Sequence, residues 1–185
     1  VDELLHKDQG VQNAVKALTA KRAQAKTQAE REAPQSAKQA PPLLLRMLAA
    51  LESTVTNLSL PVYQRFYAWA KLVRHWSSLR SHDAEGIRPR NLSWRARGLA
   101  GTLERSKTSG PDKAAKILPF FVSRDAWIWD SRWLACGQAV LSGELGFDRD
   151  YLVPLPNSSL DGTCGLKAHY SDALGLSREL LRRLP

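Results

Sequence analysis

Residues 91–123 read NLSWRARGLAGTLERSKTSGPDKAAKILPFFVS, and the spacing of their apolar residues decides the fold. Leu92 to Trp94, Leu99 to Arg105 and Lys116 to Val122 form short β-prone runs, with turn chemistry at Arg97-Gly98 and at Ser109-Gly110-Pro111-Asp112 between them. The pattern predicts three antiparallel strands. Leu99, Leu103, Arg105 and Lys107 share parity, so in a regular strand they point to one side. Lys107 is thereby expected to leave the sheet at its edge, near a hairpin tip.

On either side of this stretch the period becomes helical. Leu44, Leu48, Leu51 and Val55 recur at helix spacing until Thr56 to Ser59 break the pattern. Ser59 is the expected N-cap of a second helix, with Pro61 in its first turn. That helix carries Val62, Phe66, Trp69, Val73 and Trp76 on one face, with Gln64, Arg65, Lys71 and Arg74 elsewhere, and runs to Leu79-Arg80. An aromatic stripe of this kind reads as core packing. After the strands, Ser123 is the expected cap of a helical segment through Trp127, Ile128, Trp133, Leu134 and Val140. A Gly/Pro/Asn/Ser-rich loop follows from Gly143 to Gly165, and Leu174, Leu176, Leu180, Leu181 and Leu184 mark a last helix. The predicted fold class is α+β, helices packed with a small three-stranded antiparallel sheet. Residues 1–41, rich in Ala, Lys, Gln and Glu, read as a partly helical linker or leader, and 42–185 as the domain.

Charge narrows the partner. The 185 residues hold 27 Lys and Arg against 18 Asp and Glu, a formal +9. Residues 71–116 contain eleven of these cations and four of the anions, so seven of the nine net charges fall in a quarter of the chain. A local excess favours a binding face for an anionic partner, nucleic acid above all. Cys136 and Cys164 form no CxxC pair and have no clustered His, so neither a metal site nor a disulfide framework is expected. No apolar run approaches the roughly 20 residues needed to cross a bilayer. The expectation is an intracellular, nuclear protein with no cofactor, no membrane partner and no small-molecule substrate.

Two ordered motifs carry a family resemblance. SLRSHDAEGI (residues 78–87) is similar to the "GLR-x-x-E-x-x-x-L" box that ends a helix in the catalytic domain of tyrosine recombinases, the phage-integrase family, with Arg80, Asp83 and Ile87 at the matching positions. RSKTSGPDKAAKILP (residues 105–119) resembles the family's "T-K-T-x-x-x-x-x-x-x-P" hairpin, with Lys107 at the lysine. Versions from DIRS-like and Crypton-like eukaryotic mobile elements are the most similar, and the resemblance spans about residues 42–184.

The resemblance implies DNA recombination and integration through a 3′-phosphotyrosyl link. Arg80 would clamp the phosphate, because a guanidinium fork holds two oxygens and stays charged. Lys107 would protonate the leaving oxygen as a general acid. Arg88, Arg90, Arg95, Arg97, Arg105, Thr108, Lys113 and Lys116 would contact duplex DNA, giving salt-dependent affinity without reading sequence. The family's His-x-x-Arg box and nucleophilic tyrosine find no counterpart. His169 is followed by Tyr-Ser-Asp, and Tyr63, Tyr67, Tyr151 and Tyr170 all precede the nucleophile's place. The expected protein is therefore a DNA-binding fragment or decayed copy of a recombinase, inactive alone, with possible self-association on DNA. Absent helices would leave Trp69, Trp76 and the strands partly uncovered. The alternatives are a non-enzymatic nucleic-acid-binding module and a protein-interaction domain that uses the aromatic helix.

Overall fold

The computed structural model describes residues 44–104 and 117–182; the linker expected over 1–41 and the segment 105–116 lie outside them. Among the described residues, five α-helices, a three-stranded sheet and a two-stranded ribbon follow in chain order.

Helix α1, Leu45–Thr56, turns Leu48, Leu51 and Val55 inward, as their spacing dictates. Helix α2, Val62–Trp76, packs against it through Phe66, Trp69 and Val73, all fully buried. Each such side chain contributes on the order of 2–3 kcal/mol of apolar transfer. Two expected boundaries are corrected. Pro61, not Ser59, occupies the N-cap: its carbonyl accepts the Arg65 amide, and the Ser59 amide turns back to Asn57 Oδ1 at 3.0 Å. At the other end the helix stops at Trp76, short of Leu79-Arg80. There the Ser78 amide bonds the His75 carbonyl, the Leu79 amide reaches back to Arg74, and Ser78 takes φ +56°. This 6→1 and 5→2 pairing is a Schellman motif, formed here without glycine. Arg65, off the aromatic face, is nevertheless buried and donates Nε to the Val55 carbonyl at 3.1 Å.

The predicted sheet forms. Strands β1 (Ser93–Arg95), β2 (Gly98–Leu103) and β3 (Leu118–Ser123) lie antiparallel in that order, with Leu99 opposite Trp94 and Val122, and Leu103 opposite Leu118. Leu99 and Leu103 share the buried face, as their parity requires. Gly98 has φ +148°, and a Cβ there would sit 2.1 Å from the Val122 carbonyl oxygen. Only glycine lets β1 turn into β2 so tightly.

The helix expected to be capped by Ser123 starts ten residues beyond it: α4 is Trp133–Ser142, and residues 124–132 form turns and bends. A distant carboxylate accounts for the difference. Glu52 of α1, with no exposed surface, accepts the amides of Ile128 (3.0 Å), Trp129 (2.7 Å) and Asp130 (2.9 Å). Those donors are drawn out of any helical ladder and aimed at one buried charge. Beyond the turns, α4 lies against α2 where Gly137 meets the Trp69 ring; a Cβ there would stand 2.1 Å from the ring. Trp69 is thus fully covered and Trp76 packs half-buried on the core, contrary to the expectation of an uncovered aromatic face.

The predicted loop 143–165 contains part of a ribbon, β4 (Pro154–Pro156) with β5 (Thr163–Lys167). Helix α5, Tyr170–Arg182, ends the described chain. Among the described residues no helix is long and apolar enough to cross a membrane.

Candidate functional site

The Schellman turn fixes the local geometry. It closes α2 and sends the chain through Arg80 into the short helix α3, Ser81–Glu85, whose first turn is secured by the Ala84 amide on the Arg80 carbonyl at 3.0 Å. Ile87, fully buried, anchors the far end of this segment. Arg74 of α2 spans the turn, its Nη1 donating to Ser81 Oγ at 2.9 Å. The result is an open groove of about 580 Å³ lined by Lys71, Arg74, His75, Ser78, Leu79, Arg80 and Ser81. Four of the seven are basic or potentially basic, and none is acidic.

Lys71 lies deepest. Its Nζ donates to Ser177 Oγ of α5 at 2.8 Å and stands 5.7 Å from the Tyr67 ring centroid. Tyr67 caps the same corner, its hydroxyl bonded to the Ala173 carbonyl and 2.7 Å from Ser177 Oγ. Burial, then the neighbouring Arg74 guanidinium, push the Lys71 ammonium down to about 8. The same two causes lower His75 from the ordinary imidazole value, again with burial the larger. An ammonium held by a hydroxyl and a ring face has donors left over. Arg80 itself is exposed, and the described ion pairs, Arg88–Glu104 and Arg132–Asp130, involve neither it nor Lys71. Phosphate oxygens match such a concavity, since charge-assisted hydrogen bonds to them are the strong kind.

The other residues singled out from sequence do not converge on this groove as one face. Arg88 is tied to Glu104 at 2.7 Å, and the same carboxylate accepts Asn91 Nδ2 at 2.8 Å. Arg90 sits exposed in the 3-10 turn Pro89–Asn91 before β1. Arg95 and Arg97 are exposed at the β1–β2 turn, beside Gly98. Glu104, and with it Arg88, belongs to the opposite end of β2, about 17–20 Å away along the strand. Lys107, Arg105, Thr108, Lys113 and Lys116 lie in 105–116, outside the described residues.

Lys71, Arg74 and His75 were not singled out as site residues from sequence. Their spacing of i, i+3 and i+4, directly upstream of Arg80, is the signal: it places two cations and an imidazole on one helix edge. Two tyrosines pack as expected. Tyr63 is buried with its hydroxyl on the Pro154 carbonyl at 2.6 Å, and Tyr67 is buried as described. Burial raises both phenols above their ordinary value. Tyr151, expected as a loop aromatic, bonds the Gly165 carbonyl at 2.5 Å. No group of three or more His, Cys, Asp and Glu side chains suited to a metal occurs among the described residues. No protein-family model, curated protein or solved structure matches the chain.

Proposed function

We propose that the chain binds duplex DNA through a catalytic domain of the tyrosine-recombinase type, with Arg80 as its phosphate clamp. One observation carries the reading: Arg80 stands exposed at the rim of a concave groove whose lining is basic and contains no carboxylate. That is the setting a guanidinium needs to hold a phosphodiester, and it lies at the helix exit where the resemblance assigns the arginine. The resemblance assigns Lys107, on the segment that joins the paired strands β2 and β3, to the same site, where it would serve as general acid only in a complete recombinase site.

Strand cleavage is not part of the proposed activity. Tyr63, Tyr67 and Tyr151 each engage a backbone carbonyl, so none of the three is a free nucleophile. The reading as a DNA binder is tested by fluorescence anisotropy of a labelled 30-base-pair duplex, with wild type and Arg80→Ala compared at about 50 and 200 mM salt. The expected outcome is binding that weakens steeply with salt, and a loss of about tenfold in Arg80→Ala. Equal, salt-insensitive binding by both proteins would overturn it. The alternative that uses the aromatic helix for protein contacts loses Trp69, which is buried under α4, and keeps the half-buried Trp76.

A further inference from the structure

The groove holds a second cation whose position the Arg80 clamp does not explain. Lys71 is one α-helical turn from Arg74 and His75, faces the same concavity as Arg80, and reaches past it to a serine on α5. A structural lysine on a helix flank would extend its ammonium into water. This one is drawn inward, where its partners are a hydroxyl and an aromatic face. The groups around it are Tyr67, Arg74 and His75 from α2, Ser177 from α5, and Arg80 with Ser81 from the chain leading into α3. Every charged group among them is cationic or able to become so. Such a constellation is electrostatically incomplete, and an anion completes it.

We infer that Lys71 is a phosphate ligand of this groove, held in reserve by Ser177 and released from it to meet a phosphate oxygen opposite Arg80. The inference rests on the reading of the groove as a phosphate site and adds the residue that forms its inner wall. Ser177 suits the holding role because it can be given up easily: its hydroxyl already has the Ala173 carbonyl at 2.7 Å and the Tyr67 hydroxyl as partners when the ammonium leaves. The flexible four-carbon stem lets the ammonium change partners without moving α2. The ligand chemistry is a phosphate group, carried by duplex DNA or free in solution.

Charge state gives the inference a signature that a merely structural lysine would not produce. Burial leaves Lys71 with an ammonium that titrates near 8. Its pull on phosphate is therefore present at pH 7 and fades as pH rises toward 9. Arginine at the same place would stay charged throughout. The experiment uses the full chain and two probes, the labelled 30-base-pair duplex and inorganic pyrophosphate, each titrated at pH 7, 8 and 9 against wild type, Arg80→Ala, Lys71→Met and Lys71→Arg, with circular dichroism confirming that each variant is folded.

For wild type, the expected result is duplex affinity that falls about three- to tenfold from pH 7 to 9. Lys71→Met should bind about tenfold more weakly at pH 7 with a flat pH profile and a logarithmic salt slope smaller by about one. Lys71→Arg should keep the affinity and lose the pH dependence. Should Lys71→Met match wild type at every pH while Arg80→Ala is impaired, the inference is overturned and the Arg80 clamp survives. Wild-type pyrophosphate binding that depends on Lys71, with no duplex binding by any protein, would instead uphold the phosphate seat and refute the DNA reading. If Lys71→Met misfolds, Lys71→Arg decides: a pH profile still parallel to wild type overturns the inference.

Discussion

Two regions of this protein handle charge in opposite ways. On α1, the Glu52 carboxylate is entirely buried and takes three backbone amides from the Ile128–Asp130 turn. At the end of α2, Lys71, Arg74, His75 and Arg80 crowd around a groove with hydroxyls for company and no carboxylate among the lining residues. The first arrangement is saturated, so its work is finished when the chain folds. The second leaves donors over, so part of its interaction energy is still to be released. A charge that is buried and fully bonded belongs to stability, whereas a basic cluster left open costs stability, which fits the binding role proposed for it.

The largest expected effect attacks the saturated side. Glu52→Ala strips three part-buried amides of their acceptor and removes a fully buried side chain, and should cost about 3–5 kcal/mol in chemical denaturation, since each orphaned donor carries its desolvation penalty. Glu52→Gln keeps one acceptor oxygen and should lose roughly half as much. A loss below about 1 kcal/mol in the alanine variant would erase the contrast.

Lys71 offers the next effect, with the opposite sign. Its folded-state value of about 8 lies below the ordinary 10.5, so between those two values the unfolded chain holds a proton that the folded chain has released. Stability therefore rises with pH across that window. Relative to Lys71→Met, wild type should gain on the order of 2 kcal/mol between pH 8 and 10, as measured by parallel urea titrations. A flat difference would mean that the ammonium is well solvated and the groove is not charge-poised.

Smaller still is the effect of the brace between α2 and α3. Ser81→Ala removes the hydroxyl that Arg74 holds at 2.9 Å across the turn. An exposed hydrogen bond of this kind is worth about 0.5–1 kcal/mol at most. Stability should hardly change, while duplex affinity should fall about two- to threefold because Arg74 loses its fixed direction. Last, Ser78→Gly should stabilise by about 0.5 kcal/mol, since Ser78 occupies a left-handed conformation at φ +56° that glycine adopts without a side-chain penalty. A destabilising result would show that this turn has requirements beyond its backbone angle.

What the sequence disclosed, and what it concealed, divides along the same line. Helices α1 and α2 and strands β1–β3 were legible within a few residues because each is written in local periodicity, from Leu48, Leu51 and Val55 to the shared parity of Leu99 and Leu103. Arg80 was legible as a candidate through its motif. Glu52 was not: nothing near it in the chain marks a carboxylate that will meet amides 76 to 78 positions onward, so a helix was expected where its turn lies. The ribbon β4–β5 stayed hidden because its first strand is Pro-Leu-Pro, a poor strand by propensity. Lys71, Arg74 and His75 were visible at helical spacing, yet a cationic helix flank ordinarily means solvent. Only the Schellman turn, which folds Arg80 back toward them, makes the four a cluster.

The amide-collecting carboxylate also bears on how the chain is made. During synthesis α1 and α2 emerge long before Trp129 does, and until then the Glu52 charge has no donors to justify its burial. The helical pair alone should therefore remain loosely associated and hydrated, closing only when the turn beyond the sheet arrives. Order in the amino-terminal half of the domain is in this sense conferred late, by a segment 76 to 78 residues downstream, and folding should proceed as one slow cooperative event rather than as helices first and sheet afterwards.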